Sequence, residues 1–275
     1  MKTFKTIGLY NPKGGVGKTS ILASLGFELS KYGKTLLIDG DPQGSLSYIM
    51  LDKNYERYAE ENKDLYHLFL DETTVKDAAI QSREIADEYK GLYVIIPGDK
   101  KKLRTYLGST YVMEGPEKNI KQIFDEAEKE GFEFVLYDLP GHLGHYEKTV
   151  LAWITNIMPI TEAEDLSKTE LDSLLKEIKK IQLQFNGNGQ MSQNLVINKI
   201  VPGNKVHEHW ISVFEKQLPF FHRFEFNSSK VISSSISQHL SIQEYQKSSK
   251  TSKKIEELAK TFINIDDEEK ENKEE

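Results

Sequence analysis

The segment Asn11-Pro-Lys-Gly-Gly-Val-Gly-Lys-Thr-Ser20 narrows the possible folds more than any other feature of this chain. It follows a short apolar run, Lys5–Tyr10, and precedes a helical stripe in which Ile21, Leu25 and Leu29 share one face. Gly14, Gly15 and Gly17 let the backbone curl and aim several N–H groups inward, and the helix adds the positive end of its dipole. Such a strand–loop–helix unit is a site for an anion of high charge. Lys18 can reach terminal phosphates and the Thr19 hydroxyl can ligate Mg2+, with Val16 and Ser20 completing the cradle. The ordinary phosphate-loop pattern wants a glycine where Pro12 stands. The chain instead has Lys-Gly-Gly-x-Gly-Lys-Thr, with an additional lysine at Lys13. A glycine-rich turn carrying lysines by chance is the bland alternative, and the flanking strand and helix count against it.

The alternation begun by this unit continues along the chain. Apolar runs rich in β-formers stand at 35–38, 92–96, 134–137, 154–160 and 195–198, with a weaker one near 221–226. Most are apolar on both faces, as parallel strands covered by helices are. Between them lie stripes at helical spacing: Ile120, Ile123, Phe124 and Ala127, then Leu171, Leu174, Leu175 and Ile178, then Ile255, Leu258, Ala259 and Phe262. Each has a polar opposite face, so each reads as a helix covering a sheet. The expected fold class is α/β, a doubly wound, mostly parallel sheet with helices on both faces and ligands at the carboxyl ends of its strands. One domain is expected over 1–265, with an acidic, disordered tail over 266–275. The stretch 52–90 shows no clear strand and reads as helical and peripheral, and 186–190 reads as a surface turn.

Carboxylates end two of these runs. In Leu36-Leu-Ile-Asp39-Gly-Asp41-Pro-Gln-Gly44, side chains two apart point to one side of an extended segment, so both aspartates can face the phosphate site. Asp, Gly and Pro are also turn residues, and a plain turn stays open as an alternative. Phe132-Glu-Phe-Val-Leu-Tyr-Asp138-Leu-Pro-Gly141 ends a buried strand in a carboxylate that can hold Mg2+ directly or through water. Leu195-Val-Ile-Asn198-Lys199 ends another strand in a polar residue, which is common.

At these boxes the chain resembles the ParA/MinD family of deviant Walker A ATPases, over about residues 5–262, and most closely the short ParA type without an N-terminal helix-turn-helix. The resemblance implies a P-loop fold binding ATP and Mg2+. It assigns Lys13, Lys18 and Asp41 to catalysis: Lys13 crosses a dimer interface to the partner's ATP, and Asp41 orients water. It places Asp39 near the metal shell with Thr19 and Asp138, and Asn198 against adenine. Where the family usually has Asp-x-Pro-Pro, Gly141 replaces the second proline, which changes loop stiffness. The implied activity is slow ATP hydrolysis by a homodimer formed on ATP. That dimer would bind non-specific DNA, be stimulated by a ParB-like centromere-binding adaptor, and partition a plasmid or chromosome. The implied location is cytoplasmic and nucleoid-associated.

Composition bounds these readings. With no cysteine, thiolate chemistry, disulfides and Cys-ligated metals are excluded. The N-terminal segment reaches its glycines too early for a signal-peptide apolar core. Net charge is −7, but residues 266–275 carry seven acids and two lysines, a net of −5, leaving −2 for the rest. Two windows are basic: 99–121, with Lys100, Lys101, Lys102 and Arg104, and 223–260, with Lys247, Lys250, Lys253 and Lys254 interleaved with Ser248, Ser249, Thr251 and Ser252. Lysines among hydroxyls suit phosphate contacts without base reading, although a solvated helix face is the plainer account. His142, His145, His207 and His209 lack metal-site spacing. A MinD-like cargo-positioning protein, a metabolic P-loop enzyme and a non-hydrolysing nucleotide-dependent module remain the rivals. The acidic tail would be repelled by an anionic membrane, so no membrane partner is expected.

Overall fold

The computed structural model describes residues 4–82, 89–109, 116–185 and 187–263. Among these residues eight strands form one sheet: β1 Lys5–Tyr10, β2 Thr35–Asp39, β3 Ile80–Gln81, β4 Leu92–Ile95, β5 Phe134–Asp138, β6 Asn156–Glu162, β7 Asn194–Ile200 and β8 His222–Asn227. Their order is β3-β4-β2-β5-β1-β6-β7-β8, and every pairing is parallel except β3 with β4. The two-residue strand β3 lies inside the stretch expected to lack strands. It is held by backbone pairing to β4 at the sheet edge, and two residues carry no readable periodicity. The rest of that stretch, where described, holds a 3₁₀ turn at Tyr55–Glu61 and two short helices, α3 Leu65–Phe69 and α4 Val75–Ala78, after α1 Lys18–Leu29 and α2 Ser45–Met50.

Period-two side-chain alternation divides each strand between two layers. Leu36 and Ile38 enter one apolar core and Leu37 the other. The first core is closed by α6 Pro116–Lys129, α7 His145–Trp153 and α8 Asp165–Phe185, through Ile120, Phe124, Val150 and Leu174 among others. The second is closed by α1 and α12 Lys250–Lys260, through Ile21, Leu25, Ile255 and Leu258. The other helices are α5 Lys100–Ser109, α9 Lys205–Gln217, α10 Lys230–Ser237 and α11 Ile242–Gln246.

The helices of the two basic windows pack on different faces of the sheet: Leu103 of α5 joins the first core and Ile255 of α12 joins the second. Thr251 and Ser252 are buried in the first turn of α12, which Ser249 caps by accepting from the Ser252 N–H, while Lys250 stays exposed. Those hydroxyls are not available to a phosphate. The 186–190 turn, described from Gly187 onward, is tied to the end of α7: the Gly189 N–H donates to Ala152 O at 2.7 Å and Gln190 N–H to Ile154 O at 2.9 Å. The acidic tail lies outside the described residues.

Parallel pairing places the carboxyl ends of the strands at one edge. β1 lies between β5 and β6, so the chain leaves it in both directions and a crevice opens at that point. Register then matters. Asp39 at the end of β2 is the direct partner of Asp138 at the end of β5, and Glu162 of β6 is the direct partner of Asn198 of β7.

Candidate nucleotide-binding site

The loop after β1 is pinned before it curls. The buried Asn11 amide donates to Ile160 O at 2.7 Å, and its Oδ1 accepts from the Lys13 N–H at 2.8 Å. Gly17, with φ +97°, begins α1 in the left-handed region. A Cβ there would lie 2.2 Å from Nδ2 of Asn198, so glycine is needed both for the turn and for the close approach of β7. The Asn198 amide donates to Val16 O at 2.8 Å, and its Oδ1 is buried without a partner. Asn198 thus braces the back of the loop.

Lys18 is buried, and its Nζ donates to Asn11 O at 3.1 Å and Lys13 O at 3.2 Å. Burial lowers its pKa, with the charges of Asp138 and Asp41 opposing the shift. The Thr19 hydroxyl donates to Asp138 Oδ2 at 2.7 Å. Asp39 is also buried, and its Oδ2 accepts from both the N–H and the hydroxyl of Ser47 at 2.7 Å. Burial is the main force pushing the Asp39 carboxyl up to about 7, opposed by those two bonds and reinforced by the charge of Asp41. Asp138 is raised by burial and by Asp39 beside it. Asp41 is half-buried, accepts from the Gln43 N–H at 2.9 Å and lines the cavity.

The structure therefore brings Lys18, Thr19, Asp138 and Asp39 together, with Asp41 on the cavity wall. Among the described residues no three His, Asp or Glu side chains converge to hold a metal. The set here is a hydroxyl and two carboxylates, and Asp138 Oδ1 and Asp39 Oδ1 are both buried without hydrogen-bond partners. Two buried oxygens with unmet demand and raised pKa values fit a hard divalent cation that retains several waters.

Lys13 stands apart from this group. Its side chain is 40% exposed and its Nζ donates to Glu162 Oε2 at 3.1 Å, with Glu164 at 3.7 Å. Lys199 takes the other oxygen of Glu162 at 2.7 Å. Burial would raise the Glu162 carboxyl, but bonds from Lys199 and Lys13 outweigh it and hold it below the usual range. Sequence reading missed Glu162, Ser47 and Asn11. Glu162 carried a strand-end signal of the kind read at Asp138, but its two lysine partners are distant in the chain or belong to other motifs.

Two cavities meet over Gly15, Gly17 and Ser20, one of about 650 Å³ toward Asp41 and one of about 470 Å³ toward Asn198 and Ser229. Gly141 closes the loop from the β5 side, where a Cβ would lie 3.1 Å from Gly14 Cα and 3.4 Å from Lys18 Nζ. The elongated space over a strand–loop–helix turn, with one lysine inside the loop and another beside it, defines a P-loop protein of the deviant Walker A type.

The family model described as an AAA domain matches residues 4–191. The chain belongs to that family and, within it, to the ParA/MinD ATPases, which include partition and positioning proteins. It is 26% identical over 195 residues to the chromosome-partitioning ATPase Soj of Treponema pallidum, covering 66% of each chain. The chain spans about half the length of several curated relatives it matches, such as an uncharacterized protein of Mycobacterium tuberculosis, of which it covers 54%. In fold it is similar to the ATP complex of a McdA variant from Cyanothece, with TM-score 0.75, 17% identity, and 95% and 97% of the two chains covered. The septum site-determining protein MinD of Pyrococcus horikoshii with Mg-ADP gives TM-score 0.72, 18% identity, and 96% and 97% coverage. No helix among the described residues is long and apolar enough to cross a membrane.

Proposed function

We infer that this chain binds ATP with Mg2+, dimerises in that state, and hydrolyses ATP slowly as a DNA-partition ATPase. The observation that carries this reading is the division of labour between two lysines. Lys18 fills its own loop, whereas Lys13 is exposed beside the pocket and tethered to the β6 side by Glu162. A cation so placed can be handed to phosphates bound in a second subunit. Residues 1–265 are taken as one ATPase unit with a solvating acidic tail.

Bound Mg2+ supplies charge neutralisation to the phosphates. Lys18 and the loop N–H groups hold the phosphate oxygens, and Thr19 and Asp138, backed by Asp39, offer the cation site. Asp41, on the cavity wall, orients the water that attacks the terminal phosphorus as the bond to the bridging oxygen breaks and ADP leaves. Asn198 lines the cavity of about 470 Å³, which supports the adenine contact that the family resemblance assigns to it. ParA and Soj among the relatives are named for chromosome partitioning, which supports non-specific DNA and a ParB-like adaptor as partners and a cytoplasmic, nucleoid-associated location.

DNA retention with ATP, with ADP and without nucleotide tests the reading. Retention confined to ATP, accompanied by a dimer in light scattering, is the expected result. Nucleotide-independent retention, or none, refutes the switch, and ATP-dependent binding to anionic vesicles in its place would move the chain to the positioning branch.

A further inference from the structure

A cavity of about 360 Å³ opens on the far side of the two loops that follow Asp41 and Asp138. Pro42 and Pro140, which belong to those loops, form part of its wall. Arg104 of α5, His142 and the start of α7 form the rest. The Glu147 side chain, 1% exposed, accepts from the Gly144 N–H at 2.7 Å through Oε2 and lies 3.1 Å from His142 Nε2 through Oε1. Burial raises the Glu147 carboxyl, with the charge of His142 among the opposing effects. The His142 carbonyl accepts from the Tyr10 hydroxyl at 2.9 Å. His142 is thus fixed at both backbone and ring, yet its side chain is 69% exposed. With Nε2 committed to the buried carboxylate, Nδ1 is the ring's remaining polar atom.

The lining is complementary to an acid. Glu147 is the one carboxylate among its described residues, and both of its oxygens are taken. Among the described residues Arg104 has no ion-pair partner, so its guanidinium fork is available. Pro42, Leu107 and Pro140 add apolar surface between these polar groups, which suits a short run of methylenes. Neither Arg104 nor His142 belongs to the phosphate cradle.

We propose that this cleft is a carboxylate-binding site, taking an acid on a short aliphatic stem with Arg104 as its bidentate anchor and the exposed His142 ring at its rim. A glutamate side chain of a protein partner and a free dicarboxylic acid share this chemistry. Because the cleft shares its wall with the Asp41 and Asp138 loops, its occupant would be felt at the hydrolytic centre. The site itself stands whether or not the nucleotide is ATP.

The test uses the full chain with labelled histidine rings, observed by NMR, the His142 signal being assigned with His142→Gln. Glutarate, a capped Glu-Glu peptide and the neutral glutaramide are titrated at constant ionic strength. A saturable His142 shift with either carboxylate, weakened about tenfold or more in Arg104→Gln, is the expected result. Tighter binding of the peptide assigns the acid to a protein partner, and tighter binding of glutarate to a small molecule. No saturable shift with either, an equal shift with glutaramide, or undiminished affinity in Arg104→Gln overturns the proposal. Arg104 is exposed on α5, so its replacement leaves the core intact.

Discussion

Replacing Gly17 by alanine should destabilise the chain through one identifiable neighbour. Two effects add. A non-glycine residue at φ +97° costs about 1–2 kcal/mol of backbone strain. The new Cβ would also stand 2.2 Å from Nδ2 of Asn198, a residue that is 3% exposed and has little room to withdraw. Moving it breaks the 2.8 Å bond to Val16 O and leaves a buried donor and acceptor unpaired, about 1–3 kcal/mol. The total is about 2–5 kcal/mol. Asn198→Ala alone loses the same bond but also removes the unpartnered Oδ1, so it should cost about 1–2 kcal/mol. Once Asn198 is alanine the clash is gone, and Gly17→Ala should then cost only its backbone strain. Urea unfolding followed by circular dichroism on the wild type, both single variants and the double variant measures this coupling. A coupling of about 1 kcal/mol or more in the rescuing direction is expected. Additivity within about 0.5 kcal/mol would refute the claim that Asn198 braces the loop through this contact.

Three further outcomes follow from the site. Asp39→Asn should stabilise the metal-free, nucleotide-free chain at about pH 8 and change little at about pH 4. A carboxyl raised from 3.8 to about 7 contributes stability that is present below its unfolded value and lost as pH rises through its folded value; calorimetry with a chelator at both pH values checks this, and equal gains at both would exclude ionisation as the cause. Asp41→Ala should retain nucleotide but lower single-turnover phosphate release about a hundredfold, whereas a normal rate would remove Asp41 from water orientation. Lys13→Ala should leave thermal stability within about 1 kcal/mol, since its ion pair is partly exposed, yet abolish the ATP-induced dimer in light scattering; a full dimer would end the in-trans assignment.

Much of the framework was legible because it is written in local periods. Both-face apolar runs marked the parallel strands, and three stripes at helical spacing marked covering helices that are indeed buried on the sheet. The strand β3 was not legible, since two residues held by an edge pairing leave no pattern. The burial of Thr251 and Ser252 within the lysine-and-hydroxyl run that enters α12 was not legible either, because composition does not reveal that Ser249 caps the helix there.

By itself the sequence determined the glycine-rich turn, the lysine within it and the carboxylates that end two strands, because these depend only on backbone freedom and spacing over a few residues. The tertiary structure alone decided which of these groups meet. Asp39 and Asp138 are 99 positions apart, and the β2–β5 pairing makes them direct neighbours in the sheet interior, where burial raises both pKa values and the charge of Asp39 adds to the shift at Asp138. The same sheet order pairs β6 with β1, which brings Glu162 at the end of β6 within 3.1 Å of Lys13 Nζ. The fold also separates the helices of the two basic windows onto opposite faces. Strand order is chosen by how helices pack on two sheet faces at once, a global condition that no short window of residues contains.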